Sequence, residues 1–238
     1  MNNQAQLKVK IFTLFPELFP GSLNNSIVGD ALQQGIWQLE VINIRDFGIG
    51  KRKTVDDTVF GGGAGMLIRA DVLGEAIETN IKDFSTTKLL YPSPRGTVFN
   101  QKKAVELSVV KELAIICGRY EGIDERVIEE CNLEEISIGD YVLSGGELPA
   151  MVILDAVVRN LPSVLGGDDS LKEESFGDGK GSVFDNLLEY PQYTKPQLWK
   201  GREVPEILLS GHHKNIEKWR LEKAREITKE RRKDLLES

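Results

Sequence analysis

Residues 115–149, IICGRYEGIDERVIEECNLEEISIGDYVLSGGELP, constrain the fold more than any other stretch, because two short apolar runs each empty into a glycine-rich turn. The first turn, Gly118-Arg119-Tyr120-Glu121-Gly122, follows the run 113–117; the second, from Ile138 to Gly146, follows 133–137. Glycine lets main chain approach a planar ring, or take positive φ, without a Cβ clash, so turns of this kind suit a ligand. Neither turn is a dinucleotide fingerprint or a phosphate-cradling P-loop. No G-x-G-x-x-G opens a helix here, and no Gly-Lys-Ser/Thr ends a loop.

Apolar periodicity on either side extends the pattern. Strands are expected at 8–12, 37–44 and 88–91, the last closed by Pro92, Pro94 and Gly96. Helices are expected at 26–34, stopped by Gly35, at 69–78 after a loop holding Gly61, Gly62, Gly63 and Gly65, and from Asn100, as cap, to about 111. Helices at 124–131 and 147–159 then alternate with the two apolar runs. Such alternation implies an α/β fold with a mostly parallel sheet. Residues 160–203 hold Pro162, Pro191 and Pro196 with little periodicity, which reads as a linker or lid. The segment KWRLEKAREITKERRK reads as an amphipathic helix with Ile216, Trp219, Ala224 and Ile227 inward. The expected division is an α/β domain over 1–161, a linker over 162–190 and a smaller all-α domain over 191–238.

The 238 residues, 40% hydrophobic and 28% charged, have the composition of an ordinary globular chain. No apolar run nears the roughly 18 residues that span a bilayer. The start lacks a basic stretch leading into an apolar one, so a cytoplasmic protein without membrane contact is expected. Cys117 and Cys131 suggest neither a disulfide framework nor a zinc site. The net charge of −7 argues against a polyanionic partner until its distribution is considered. From 212 to the end there are nine Lys or Arg and six Asp or Glu, which leaves that segment near +3 and the remainder near −10. A nucleic acid would meet the basic end. The same pattern also fits a solvated helix face laced with charge pairs.

GRYEGIDERV and SIGDYVLSGGELP, with the earlier FGGGAGM and SPRG, resemble the bacterial tRNA (guanine-N1)-methyltransferases of the SPOUT superfamily, over about 8–236. The resemblance implies a deep trefoil knot, which periodicity does not reveal. It also implies that three loops hold S-adenosylmethionine. They would supply Tyr91, Pro94 and Gly96; Gly118, Tyr120, Glu121 and Gly122; and Ser137, Ile138, Gly139, Asp140, Tyr141, Val142, Leu143, Gly145, Gly146 and Pro149. Backbone groups near Gly118, Ile138, Tyr141 and Leu143 would meet the adenine. The residues alone also allow these glycines merely to make tight turns.

The implied reaction is methylation of N1 of guanosine 37 in tRNA, which needs a base for the N1 proton and a cation at O6. By resemblance the cation is Arg159, although an arginine in a last helical turn also suits the helix dipole. The base position, an aspartate before Ser-Phe in the family, is Glu174 here, one methylene longer. Asp168, Asp169, Glu173 and Asp178 are neighbouring carboxylates, and an acidic linker needs no catalytic role. A second departure is the extra stretch 180–186, where the family usually runs from Asp-Gly directly to Leu-Leu. Gly63, Met66 and Ser175, with His212, His213 and Lys214, are implied substrate contacts. Magnesium dependence is a family feature, yet no carboxylate cluster marks an ion site, and two adjacent histidines do not share a helical face. The implied assembly is a homodimer with composite sites. Two other readings remain open: an RNA-binding module with a relic pocket, and a methyltransferase acting on ribosomal RNA or ribose.

Overall fold

The structure is a computed structural model that describes residues 5–165, 173–177 and 181–237. The strands are β1 (Leu7–Thr13), β2 (Trp37–Asn43), β3 (Asp56–Thr58), β4 (Met66–Ile68), β5 (Thr87–Val98), β6 (Glu112–Ile116), β7 (Glu134–Ser137), β8 (Leu198–Trp199) and β9 (Arg202–Glu203). The helices are α1 (Ser26–Gln33), α2 (Ala70–Asn80), α3 (Gln101–Ser108), α4 (Glu125–Glu130), α5 (Glu147–Val158), α6 (Glu206–Leu209) and α7 (His213–Arg231). The chain divides into two compact units, Met1–Leu165 and Gly166–Ser238.

In the first unit β1, β2, β5, β6 and β7 form one parallel sheet in the order β2-β1-β6-β5-β7. Parallel sheets are covered on both faces, and the sequence of β6 shows it: Leu113, Ala114, Ile115 and Ile116 are all fully buried. Alternation then sorts the core into two halves. Leu113 and Ile115 join Val9, Ile11 and Leu90 in a cluster with Val28 of α1, Leu107 of α3 and Ile153, Leu154 and Val157 of α5. Ala114 and Ile116 join Phe12, Leu89 and Tyr91 against Leu73 and Ile77 of α2 and Val127 of α4. Asn100 caps α3 as expected, its side chain accepting from the Lys103 amide at 2.9 Å.

β5 does not stop at Tyr91. It continues to Val98, pairing with β7 through Pro92 and resuming at Thr97 after a register shift. A bulge is where a sheet tolerates proline, which lacks the ladder donor. Gly96 sits in that bulge, so close to β7 that a Cβ would overlap the Ile136 amide.

The second unit is not all helix. β8 and β9 form an antiparallel ribbon turned by Lys200 and Gly201, both at positive φ. Ala224 is fully buried on α7, and Phe184, Leu187 and Tyr190 pack with it, Trp219 and Leu221. Thr228 is also fully buried, donating to the Ala224 carbonyl at 2.7 Å and accepting from the Leu188 amide at 2.8 Å.

Candidate functional site

The loops that follow β6 and β7, with the bulge of β5, meet at the carboxyl ends of their strands, where crevices of parallel sheets take ligands. They enclose a cavity of about 200 Å³. Tyr91 is one wall. A Cβ on Gly118 would stand 2.8 Å from its ring, and one on Gly122 would stand 3.0 Å from its hydroxyl, so side chains there would displace the wall. The Gly146 amide donates to the Gly118 carbonyl at 2.9 Å, tying the loop after β6 to that after β7. A Cβ on Gly146 would lie 2.7 Å from the Cys117 Cα. Tyr120 takes φ of 60°, the left-handed strain that clusters at ligand loops. Ser137 stiffens the remaining turn, its hydroxyl donating to the Gly139 carbonyl at 3.1 Å and accepting from the Gly139 amide at 3.2 Å.

Behind the loops lies a buried charge. Glu147, in the first turn of α5, is 1% exposed. Its Oε1 accepts from the Thr13 hydroxyl at 2.7 Å, and its Oε2 is 2.9 Å from Arg119 Nε. Neither of those two facing atoms makes a well-directed hydrogen bond, so their contact is ionic. Arg119 also donates to the Ser144 carbonyl at 3.2 Å and stacks over the Phe15 ring at 4.3 Å. One guanidinium therefore joins the segment after β1, both glycine turns and α5. Burial, with the Glu147 charge next, pushes the Cys117 thiol well above its usual range, which leaves it an inert core group. Burial likewise raises the Tyr91 phenol.

Of the residues expected at a cofactor, Gly96 and Asp140 stand outside the cavity, and the others line it. Gly96 is occupied by the contact with β7, and Asp140 is exposed. Arg119, Pro92, Ser93, Ile136 and Ser144 line it without having been singled out. Arg119 had a visible signal, since it stands inside the first turn.

The residues expected at the substrate fall in both units. The Met66 carbonyl accepts from the Glu121 amide at 3.0 Å. A Cβ on Gly65 would overlap the Glu121 side chain, so the loop carrying Gly63 borders the cavity wall. Arg159 is absent from the lining and caps the far end of α5, roughly 18 Å along the axis from Glu147 at 1.5 Å per residue. Glu174 and Ser175 belong to the second unit, as do His212, His213 and Lys214, which are exposed where α7 begins. Asp168, Asp169 and Asp178 lie outside the described residues. Among the described residues, no group of three or more His, Cys, Asp or Glu is placed to hold a metal ion, and no helix is long and apolar enough to cross a membrane.

A parallel sheet with a glycine-walled crevice at its carboxyl edge, followed by a unit with a long basic helix, defines an α/β ligand-binding protein with a helical appendage. Comparison with known proteins specifies the class. The family model described as tRNA (Guanine-1)-methyltransferase TrmD matches residues 7–238. A tRNA (guanine-N(1)-)-methyltransferase of Wolbachia pipientis wMel is 53% identical over 228 residues, which cover 96% of this chain and 94% of that protein. Proteins of the same description from Rickettsia akari (strain Hartford) and Ruegeria sp. (strain TM1040) are 53% identical over 233 residues and 52% over 229. They cover 97% and 96% of this chain, and 97% and 91% of their own lengths. The chain belongs to the tRNA (guanine-1)-methyltransferase TrmD family.

Proposed function

We propose that this protein methylates N1 of guanosine 37 in tRNA, using S-adenosylmethionine held in the cavity between the loops of β5, β6 and β7. The observation that carries the proposal is the convergence of those three loops on one cavity in a chain matching the family from end to end. The lining suits the cofactor: Ile136, Ile138, Leu143 and Pro149 offer apolar faces to a purine, glycine main chain offers its edges polar partners, and Glu121 supplies negative charge toward a cation. When bound, that cofactor supplies a methyl group already activated as a sulfonium. The Glu174 carboxylate takes the N1 proton as N1 is methylated, and the Arg159 guanidinium donates to O6, where negative charge grows. His212, His213, Lys214 and the basic residues of α7 meet the tRNA backbone.

The active form is a homodimer with shared sites, and the SPOUT knot holds the cofactor loops. α5 supports the dimer, because its outer face presents Leu148, 62% exposed, and Val152, 49% exposed, beside the exposed Asp155 and opposite the buried Ile153, Leu154 and Val157. Large apolar side chains exposed together favour a partner surface. The cavity is also small for a ligand site, and Tyr141 and Val142 at its rim are exposed, so a second subunit would complete it. Arg159, a helix length from its own cavity, then serves the partner's site. In this reading residues 1–161 bind the cofactor, 162–190 link, and 191–238 bind tRNA.

The test is methyl transfer to a transcript with guanosine at position 37 beside one with adenosine there, followed by nucleoside analysis. Formation of 1-methylguanosine on the first transcript alone is expected. Product at another base, or on the ribose, would refute the assignment. Failure to bind S-adenosylmethionine in calorimetry would instead leave an RNA-binding module with a relic pocket.

A further inference from the structure

The segment that carries Glu174 is gripped on both sides. Before it, the Glu173 carboxylate accepts from the Tyr190 hydroxyl at 2.6 Å and from Arg220 of α7 at 3.0 Å, and the Arg220 guanidinium lies 4.9 Å from the Tyr190 ring centre. After it, the Ser175 hydroxyl accepts from the Glu189 amide at 2.9 Å, and the Phe176 amide donates to the Leu187 carbonyl at 2.6 Å. The Glu174 carbonyl accepts from the Gly177 amide at 3.0 Å, and Phe176 takes φ of 74°, a conformation a bulky residue holds only when its surroundings impose it. Glu174 thus begins a tight turn whose two neighbours are fixed by side chains.

The extra stretch contributes to the same grip. Phe184, 6% exposed, packs on Tyr190 with ring centres 5.9 Å apart. Its loop is closed by the Asp185 carboxylate accepting from the Gly181 amide at 2.9 Å and by the Asp185 amide donating to the Ser182 carbonyl at 3.0 Å. Phe184 therefore covers the Tyr190 ring, while the Glu173 side chain it binds stays 39% exposed. The ordered ring fixes the phenol hydroxyl that donates to Glu173.

We infer that Glu173 is a positioning residue for methyl transfer, fixing the backbone at Glu174 through Tyr190 and Arg220 without touching the substrate. The inference rests on the reading of Glu174 as the base. It also separates the two adjacent carboxylates: that of Glu173 is committed to a tyrosine and an arginine and is not the proton acceptor. A glutamate has one more rotor than the aspartate of the family, so more side-chain freedom is lost in bringing its carboxylate to N1, and a fixed backbone limits that loss.

The test measures single-turnover methylation at saturating S-adenosylmethionine and tRNA, with the affinities of both, for Glu173→Ala, Glu173→Gln, Tyr190→Phe and Glu174→Gln. Glu173→Ala is expected to lower the rate about 10- to 100-fold, the scale of a misplacement near 1 Å, while both affinities stay within about twofold. Glu173→Gln, which still accepts from Tyr190, should recover most of the rate, and Tyr190→Phe should fall between. Glu173→Ala at the wild-type rate, or a loss accounted for by weaker tRNA binding, overturns the inference. So does a Glu173→Gln variant as inactive as Glu174→Gln, because Glu173 would then itself take the proton. Should Glu173→Ala fail to fold, Glu173→Gln and Tyr190→Phe carry the decision: an inactive glutamine variant, or a phenylalanine variant at the wild-type rate, would refute positioning. A fully active Glu174→Gln would refute the base assignment instead, whatever Glu173 does.

Discussion

Replacing Arg119 by methionine should cost the first unit about 3 kcal/mol. Glu147 is 1% exposed, and two groups answer its charge: the Thr13 hydroxyl on Oε1 and the Arg119 guanidinium on Oε2. Removing one partner of a buried pair leaves an uncompensated charge, at about 3–5 kcal/mol. The Arg119 side chain is 21% exposed, so water reaches part of the site and the lower end applies. Methionine keeps an unbranched aliphatic stem and loses the charge together with the guanidinium that stacks on Phe15. For a unit of this size the loss corresponds to a melting temperature lower by about 6–12 °C. The assay is thermal and urea unfolding without cofactor, for Arg119→Met, Glu147→Gln and the double variant. Because a neutral glutamine in place of Glu147 needs no cation, the double variant should recover at least about 1 kcal/mol of the summed losses. A loss below about 1 kcal/mol for Arg119→Met, or strict additivity in the double variant, would show that the contact does not hold the loops together.

Two other outcomes test separate parts of the account. If active sites are shared between subunits, mixing Gly146→Trp, which blocks the cavity where a Cβ already meets Cys117, with Glu174→Ala should restore activity through heterodimers. Absence of rescue, with heterodimers shown to form by native mass spectrometry, refutes shared sites. The Tyr190 phenol is pushed up to about 12 by burial first and by the hydrogen bond to Glu173 next. Since the folded form holds the proton more tightly than the unfolded chain, this contribution is complete below about pH 10 and is lost as pH rises toward 12. Urea titrations from pH 8 to 11.5 should show an alkaline loss of stability that Tyr190→Phe reduces, and equal slopes in the two proteins would contradict it.

How much of this was legible in the sequence depended on the range of the cause. The parallel sheet and the loops after β6 and β7 were readable, since apolar runs and glycine spacing are local signals. The path of β5 was not, because Pro92 and Pro94 argue for a stop, while pairing with β7 across a bulge is a tertiary fact. The ribbon of β8 and β9 had only a Lys-Gly turn between two-residue strands to announce it. Arg119 and Glu147 stand 28 positions apart, Glu173 and Arg220 47, and no periodicity connects such partners. Phe184 illustrates the limit well: the extra stretch looked like a longer lid, yet it adds a ring to the core of the second unit. Resemblance located Glu174 and Arg159; Arg159 is absent from the cavity lining of its own unit, and Glu174 belongs to the second unit.

The most direct test of the central claim is single-turnover methylation of a guanosine-37 transcript by wild type and Glu174→Gln, with the cofactor and tRNA saturating. The account predicts a rate about 10²- to 10⁴-fold lower for the glutamine variant, the usual scale for loss of a general base, with tRNA binding retained. A glutamine variant within about threefold of wild type would contradict it, because the N1 proton would then leave without that carboxylate.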